Sequence, residues 1–489
     1  MKTQSSAQHT HNASDSKREH YDVIVIGAGV VGCAMTRRFA LQGAKVLLLE
    51  KSADILEGAS KGNSAILHTG FDEVANSIEH QCVTAGYQEF IEIREQLNLP
   101  LLHTGAMVVA WNDEQAATLD GLMEKSIKNG VTDIKRLSTK QIAAKEPHLA
   151  NSYTGAIFVA GEHVIDPWTT PYSYLLQALA HGAGVSRNTD VLSGVFEANQ
   201  WQLVTSKGTF SANTVINCAG LYGDKIDEAL IKKATFTIKP RKGQFLVYDK
   251  AASKFLKTII LPVPTKVTKG VVVCRTIFGN LLVGPTADEQ QSREDSCVDR
   301  ASLNKLRIKG EQILPALANI PITATYAGIR PATQFQDYCI QPFTAQNYIS
   351  VGGIRSTGLS GALGIAKYVF ELYNNMGNKH LAVEQYIWPK VNQIAEASIR
   401  DWQKVDNGGI ICHCELVTRR EIEQALTGPL AAASLNALKR RTRVTMGRCQ
   451  GFYCTANLSE ITAKHFKEAI NVNLPPENKE GFAEELNNA

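Results

Sequence analysis

A strand–turn–helix–strand unit near the amino terminus constrains the fold of this chain more than any other feature. Residues 21–26 form a continuous apolar, β-branched run, which is typical of a buried parallel strand. The run leads into a G-x-G-x-x-G turn at residues 27–32, and a helix-like segment follows. A second apolar strand, residues 45–49, ends at Glu50. The unit predicts a Rossmann-like domain that binds a dinucleotide.

Each position of this unit has a physical reason. Gly27 permits the tight turn, Gly29 lets the backbone approach a pyrophosphate, and Gly32 allows the helix to pack closely on the strand. The helix N-terminus faces the phosphate charge. Glu50 can accept hydrogen bonds from a ribose hydroxyl, and an acid at this position favours FAD or NAD over NADP.

Length and charge narrow the class of protein further. The chain has 489 residues, 44% of them hydrophobic, which fits about three globular domains and excludes a disordered or collagen-like protein. The net charge of +4 is too weak to indicate nucleic-acid binding. Residues 1–20 lack an apolar signal-peptide core and predict a disordered tail, and no apolar run is long enough to cross a bilayer. We therefore expect a cytoplasmic protein, with any membrane association supplied by a partner.

Further landmarks carry a family resemblance. They are Gly58 to Asp72, Lys242-Gly243-Gln244, Gly279-Asn280, Gly328-Ile329-Arg330-Pro331 and Gly358-Leu359-Ser360. With the dinucleotide unit, they make residues 21–375 resemble the FAD-dependent glycerol-3-phosphate dehydrogenase/oxidase and L-2-hydroxyglutarate oxidase group. That group belongs to the D-amino-acid-oxidase-like flavoproteins.

The resemblance implies which residues contact FAD. Residues 215–220 support it independently, because a short apolar strand that ends in Ala-Gly is typical of close approach to a cofactor. The implied FAD contacts are Gly27, Gly29, Gly32, Glu50, Lys51, Ser60, Asn63, Ser64, Val191, Ala219, Gly220, Gly358 and Leu359.

The resemblance also implies the chemistry, which is hydride transfer from the carbinol carbon of a secondary alcohol to flavin N5. His68, in a Leu-His-x-Gly motif, matches the family histidine and is the predicted base. The alternative is a histidine that only packs against the flavin. Lys269 matches a catalytic lysine of the oxidase branch, although Lys266 lies three residues away and an exposed lysine is the alternative for either.

Two arginines bear on the substrate. Arg330 matches the family arginine that binds a phosphate or carboxylate. Arg355 and Ser356 stand where glycerol-3-phosphate enzymes commonly have an acidic residue and Ser-Pro-Gly. A second cation at Arg355 would suit a second carboxylate or would hold a phosphate more tightly. From the resemblance, glycerol 3-phosphate is the first expectation for the small anionic substrate. L-2-hydroxyglutarate is the alternative, because Arg330 and Arg355 could hold its two carboxylates.

Four cysteines cluster late in the chain, as Cys412-x-Cys414 and Cys449-x4-Cys454. Four thiolates suit either a [2Fe–2S] cluster or a structural zinc ion, and C-x-C is slightly off the usual zinc spacing. A capping box at residues 418–421 predicts a helix between the two pairs. The segment resembles the bacterioferritin-associated-ferredoxin-like [2Fe–2S] domain, which implies that all four cysteines bind iron.

The combined prediction is an α/β protein. A Rossmann-like FAD-binding domain comprises residues 21–95, 151–235 and 326–378, and an interleaved mixed α+β substrate domain comprises 96–150 and 236–325. A small helical [2Fe–2S] module at 407–465 is followed by a tail at 466–489.

A cluster beside a flavin predicts a one-electron relay to an electron-acceptor subunit or a quinone-linked partner. Two alternatives remain open from the sequence. One is a non-catalytic electron-transfer flavoprotein with a vestigial substrate site, and the other is an NAD-dependent dehydrogenase.

Overall fold

A computed structural model describes residues 19–264, 270–467 and 470. Most of the predicted tails at 1–20 and 466–489 lie outside these residues, and so do Lys266 and Lys269. Across the described stretches, no helix combines the length and apolar character needed to cross a membrane.

The described residues fold into strands and helices with the following bounds. In chain order the strands are β1 (His20–Ile26), β2 (Val46–Leu49), β3 (Ile66–Leu67), β4 (Leu101–His103), β5 (Ala106–Ala110), β6 (Ile134–Leu137), β7 (Gly155–Val159), β8 (His163–Ile165), β9 (Gly184–Ser186), β10 (Val191–Glu197), β11 (Gln200–Thr205), β12 (Gly208–Asn217), β13 (Lys239–Tyr248), β14 (Ile259–Pro262), β15 (Val272–Arg275), β16 (Leu281–Gly284), β17 (Asp288–Glu289), β18 (Ile322–Ala332), β19 (Cys339–Phe343), β20 (Tyr348–Gly352), β21 (Ile410–Cys412) and β22 (Val417–Thr418). The α-helices are α1 (Val30–Leu41), α2 (Ile78–Ile93), α3 (Asp113–Lys128), α4 (Thr139–Lys145), α5 (Thr169–Ala180), α6 (Gly223–Ile231), α7 (Arg300–Ile313), α8 (Gly358–Asn375), α9 (Arg419–Ala425), α10 (Leu435–Thr442) and α11 (Thr455–Thr462). Short 3₁₀ helices lie at Ala59–Lys61, Gly220–Tyr222, Lys250–Phe255, Pro315–Asn319, Thr344–Gln346 and Asp401–Gln403.

An eight-stranded sheet forms the predicted Rossmann-like unit. Its main path runs β10-β11-β12-β1-β2-β9, and β20 joins the second half of β12 and carries β19. Strands β12, β1, β2 and β9 are parallel neighbours. On β1, Val23 and Val25 pack into the core under α1 and α8, whereas Ile24 and Ile26 pack into the core on the other face. Burial on both faces is why the sequence of β1 is continuously apolar.

A nine-stranded sheet forms the second layer. Its path runs β17-β13-β16-β15-β14-β5-β7-β6, and β18 pairs antiparallel with β13 along most of its length. On β5, Ala106, Val108 and Ala110 face one core, and Met107 and Val109 face another. A separate three-stranded sheet, β3-β8-β4, lies beside these layers.

The strands depart from the predicted domain segments at two places. Strand β7 pairs with β5 and β6 in the nine-stranded sheet, although residues 151–235 were assigned to the FAD domain. Strand β18 starts at Ile322, so it crosses the boundary predicted at 326. An apolar run predicts a buried strand, but it does not specify which sheet the strand joins.

The carboxy-terminal module contains β21, β22 and helices α9 to α11 around its own small core. The predicted capping box is present, because Thr418 and Glu421 exchange the expected hydrogen bonds at the start of α9. Residues 376–409, which connect α8 to this module, are hydrogen-bonded to the rest of the protein at several points. The Val383 amide donates to the Leu41 carbonyl, and the Glu396 amide donates to the Ile277 carbonyl.

Candidate functional site

The glycine turn between β1 and α1 has the geometry of a phosphate-binding cradle. Gly27 has φ +99°, and a Cβ there would lie 2.7 Å from the Cys218 carbonyl oxygen. A Cβ on Gly32 would lie 1.8 Å from the Gly27 carbonyl oxygen, so only glycine fits. Helix α1 starts directly after Gly29, which offers no side-chain cap. The Val30 amide, the first of the helix, donates to the Ser60 hydroxyl, so an anion would bind at the next amides of the first turn.

Glu50 lies at the end of β2, beside this cradle. Its two carboxylate oxygens accept hydrogen bonds from the amides of Ala28, at 2.7 Å, and Ser52, at 2.8 Å. Burial raises the pKa of Glu50 despite these donors. The neighbouring Lys51 ammonium lies 3.5 Å from the centroid of the Tyr222 ring. These contacts hold the acid at the mouth of the cradle, where a ribose would lie.

The loop at residues 58–64 connects the cradle to the nine-stranded sheet. The Ser60 hydroxyl accepts a hydrogen bond from the Val30 amide at 3.0 Å, and the Asn63 side chain donates to the Ser60 carbonyl. A Cβ on Gly328 would lie 2.2 Å from the Gly62 carbonyl oxygen, so the loop touches β18 directly. Ser64 is partly buried in the same loop.

The remaining predicted FAD contacts come from three distant chain segments. Val191 is buried at the start of β10, Ala219 and Gly220 follow β12, and Gly358 and Leu359 open helix α8. Gly220 has φ +55° with open space around its Cβ position. The fold thus places these segments at the ends of the strands and helices that carry the cradle.

His68 is tied to a carboxylate that sequence reasoning missed. Its Nδ1 lies 2.8 Å from Oε2 of Glu162, a fully buried residue. The other oxygen of Glu162 accepts from the Thr69 amide at 2.6 Å and from the Thr69 hydroxyl at 2.8 Å. The His68 amide donates to the Ser360 hydroxyl, which fixes the histidine against α8. The one signal of this contact in the sequence was the position of Glu162, an acid in the short turn between the apolar strands β7 and β8.

Arg330 lies on β18, and its guanidinium packs over Gly243, where a Cβ would come within 2.5 Å of Nη2. Within the described residues it forms no ion pair, and its hydrogen bonds are two long ones of 3.4 Å to the Thr286 carbonyl. Burial, reinforced by nearby Arg241, lowers the pKa of Arg330 to about 10. The side chain is therefore a partly buried cation at neutral pH that forms no ion pair within the described chain, although the Asp288 carboxylate is near enough to favour its charge.

Arg355 has a different environment. Its Nη2 lies 3.0 Å from Oε2 of Glu79, and it also donates to the Gln336 carbonyl. Ser356 is exposed. The structure thus pairs the predicted second cation with a carboxylate of the protein itself. The predicted lysine, Lys269, lies outside the described residues.

The four late cysteines come together in the carboxy-terminal module. Cys414 lies near enough to Cys449, and Cys454 near enough to Cys412, for each pair of thiols to influence one another's ionisation. Burial raises the pKa of Cys454 to about 12, whereas the Tyr453 amide lowers that of Cys449. Among the described residues, no three His, Cys, Asp or Glu side chains converge on a point that would hold a metal ion. Two facing pairs of thiols fit a two-iron cluster, in which each iron takes two of the four thiolates.

Fold and cradle together define an FAD-dependent oxidoreductase. The family description "FAD dependent oxidoreductase" (DAO) matches residues 22–372, and the chain belongs to this family. A second description, "BFD-like [2Fe-2S] binding domain", matches residues 410–464. The predicted fold class and the two predicted cofactors, FAD and a [2Fe–2S] cluster, are thereby confirmed.

Individual relatives cover most of the chain. A glycerol 3-phosphate dehydrogenase of Caloramator mitchellensis is 32% identical over 91% of this chain and 94% of its own length. A glycerol 3-phosphate oxidase of Mycoplasma genitalium is 30% identical over 72% of this chain and 94% of its own length. The solved structure of dithionite-reduced L-alpha-glycerophosphate oxidase from Mycoplasma pneumoniae with FAD bound has a TM-score of 0.71 and 26% identity. It covers 77% of this chain and 99% of that one.

Proposed function

We propose that this protein oxidises sn-glycerol 3-phosphate and passes the electrons through its [2Fe–2S] cluster to a quinone-linked acceptor. The observation that carries the substrate assignment is the Arg330 guanidinium, which forms no ion pair with a described carboxylate and only long hydrogen bonds to the Thr286 carbonyl. A cation held partly out of water is costly unless an anion pairs with it. The phosphate of the substrate would supply that anion through paired donors.

The surroundings of Arg355 favour a phosphate over a second carboxylate. L-2-hydroxyglutarate has two carboxylates and would need a second free cation in the site. The Arg355 side chain instead pairs with Glu79, whose other oxygen accepts from the Thr357 hydroxyl at 2.5 Å. Binding a second carboxylate at Arg355 would first have to break this ion pair. The two relatives named for glycerol 3-phosphate support the same choice.

His68 is the proposed base for the substrate hydroxyl. The Glu162 carboxylate can only accept a hydrogen bond, so Nδ1 of His68 carries the hydrogen that joins them. Nε2 is then left with the lone pair that takes the hydroxyl proton. When bound, FAD accepts the hydride from the carbinol carbon. Arg330 orients the substrate by its anionic end, and the buried Glu162 keeps the imidazole in the tautomer that accepts a proton.

Flavin bleaching tests the substrate. The purified holoenzyme is mixed anaerobically with glycerol 3-phosphate or with L-2-hydroxyglutarate, and the flavin absorbance is followed. Rapid bleaching by glycerol 3-phosphate alone is the expected result. Bleaching by L-2-hydroxyglutarate alone would overturn the assignment, and no bleaching by either would favour a non-catalytic flavoprotein.

The Arg330→Gln variant tests how the anion is held. Charge-assisted hydrogen bonds contribute about 1.5–3 kcal/mol, so KM for glycerol 3-phosphate should rise about 10- to 100-fold. Arg307→Gln is the matched control, because Arg307 lies on α7 of the same domain and pairs with Glu311 at the surface. An unchanged KM in Arg330→Gln would contradict the proposed role.

Reduction and reoxidation of the cluster test the proposed route of the electrons to the acceptor. EPR after anaerobic addition of glycerol 3-phosphate should show a reduced cluster once the flavin has bleached. A short-chain quinone should then reoxidise both centres. A cluster that stays oxidised while the flavin is reduced would contradict the relay.

A further inference from the structure

A chain of packed side chains joins the carboxy-terminal module to the loop at residues 58–64, which we call the flavin loop. It starts at Arg443, which is 5% exposed and follows helix α10. The Arg443 Nε lies 2.8 Å from Oε2 of Glu415, the residue after Cys414. The Arg443 Nη2 reaches across to the Asn280 side chain at 3.3 Å. The guanidinium therefore connects one cysteine pair to the hairpin between β15 and β16.

In that hairpin, Phe278 contacts two further side chains. The Arg443 Cζ lies 4.2 Å from the centroid of the Phe278 ring. The Trp168 ring stacks on Phe278, with centroids 5.3 Å apart and planes 12° from parallel. The Trp168 Nε1 donates to the Lys61 carbonyl at 3.1 Å, within the loop that holds Ser60 and Asn63. Every link in the chain from Glu415 to the flavin loop is a direct contact.

The position of Trp168 is itself fixed. The buried Asp166 carboxylate accepts from the amides of Trp168 and Thr169, each at 2.9 Å. Trp168 also packs against the hydrophobic cores of both large sheets. A cation over a desolvated aromatic ring is attracted to the electron-rich face of the ring. The stack is thus a rigid contact where three parts of the protein meet.

We propose that Phe278, in contact with both Arg443 and Trp168, is a positioning residue that helps to keep the [2Fe–2S] module at electron-transfer distance from the flavin loop. The inference rests on the relay in the proposed function. In each step the reduced flavin loses one electron and the cluster gains one. The cluster gives that electron to an external one-electron acceptor before the second arrives, and the protons of the reduced flavin go to solvent.

The test compares Phe278→Leu with a matched control. Leucine keeps the apolar volume but removes both ring contacts. Phe255→Leu is the control, because Phe255 also contacts a cation, Lys254, and an aromatic partner, His148, and neither of these belongs to the carboxy-terminal module. Trp168→Phe is a second variant that keeps a ring but loses the hydrogen bond to Lys61.

The primary readout is the rate of each electron step. Stopped-flow absorbance follows flavin bleaching, and freeze-quench EPR follows cluster reduction. Phe278→Leu should bleach at the wild-type rate but reduce the cluster about tenfold more slowly, since electron transfer, like other reactions, is sensitive to displacements of about 1 Å. The equilibrium reduction potential of the cluster should not change, because the ligands and the Arg443–Glu415 pair remain.

A second readout does not depend on turnover. Hydrogen exchange of the amides at 58–64 should accelerate in Phe278→Leu and in Trp168→Phe, but not in Phe255→Leu. Wild-type rates of cluster reduction and exchange in both interface variants would overturn the inference. A wild-type cluster that is never reduced would instead overturn the relay itself, and the two failures are therefore distinguishable.

Discussion

Replacing Glu162 by glutamine is the sharpest test of the proposed proton transfer. Glutamine has nearly the same shape, and its carbonyl oxygen can still accept the two hydrogen bonds from Thr69, at 2.6 and 2.8 Å in the native protein. Its amide nitrogen would then face Nδ1 of His68, 2.8 Å away in the native contact. Because an amide nitrogen can only donate, Nδ1 would become the acceptor and Nε2 would carry the hydrogen.

The magnitude follows from this reversal. With its hydrogen on Nε2, His68 cannot take the substrate proton. A general base contributes about 10²–10⁴-fold to a rate, which corresponds to about 3–5 kcal/mol in the barrier. We therefore expect Glu162→Gln to slow flavin bleaching by about 10²-fold or more, with KM and FAD content nearly unchanged.

Anaerobic stopped-flow with saturating glycerol 3-phosphate measures this rate. Thr69→Val is the matched control, because it removes only the hydroxyl contact and leaves the amide hydrogen bond to the same oxygen. We expect it to lose less than about tenfold, since the Glu162 carboxylate keeps its contact with Nδ1 of His68. Bleaching at the wild-type rate in Glu162→Gln, with the flavin fully bound, would refute the assignment of His68 as the base.

Three other predictions concern binding and stability. Gly32→Ala should yield protein without flavin absorbance, because its Cβ would lie 1.8 Å from the Gly27 carbonyl oxygen. The control Gly58→Ala, which has open space around its Cβ position, should stay yellow, and flavin retained in Gly32→Ala would refute the cradle. Cys449→Ser should lose the cluster EPR signal but keep FAD, whereas Cys297→Ser, at an exposed cysteine, should change neither. A normal EPR signal in Cys449→Ser would show that Cys449 is not a cluster ligand. Burial opposes ionisation of Asp224, but the two-pronged contact with Arg293, at 2.5 and 2.8 Å, lowers its pKa below the ordinary 3.8. The stability from this pair is present above pH 3.8 and is lost as the pH falls below it, so urea unfolding should show Asp224→Asn less stable by about 3 kcal/mol at pH 7, with the gap closing at lower pH. A pH-independent gap would contradict this reasoning.

The dinucleotide unit was predictable because its signals are local. Strand β1, the glycine turn, helix α1 and Glu50 follow one another within a short stretch of chain, and each residue type is required by backbone geometry at that point. The capping box at Thr418 and Glu421 is local in the same way. The family resemblance then extended the prediction to FAD and to the [2Fe–2S] module, and both are confirmed.

The partners of individual side chains were not predictable. Glu162 reaches His68 from ninety-four positions along the chain. The basic run at residues 439–443 shows the same limit, because its carboxylate partners lie outside the run. Arg441 lies 2.8 Å from Asp54, and Arg443 lies 2.8 Å from Glu415. Charge in a sequence indicates that a group needs a partner or water, but it does not identify the partner.

The sequence by itself therefore determined the class of fold, the flavin cradle and the four thiols, because these depend on short-range backbone sterics and on ligand chemistry. Only the tertiary structure decided that Arg355 pairs with Glu79, that Arg330 has no such partner in the described chain, and that Glu162 contacts the histidine. It also decided how the iron–sulfur module is seated on the flavin loop. Those outcomes depend on contacts between residues far apart in sequence, and such contacts form only when the sheets and the module pack together.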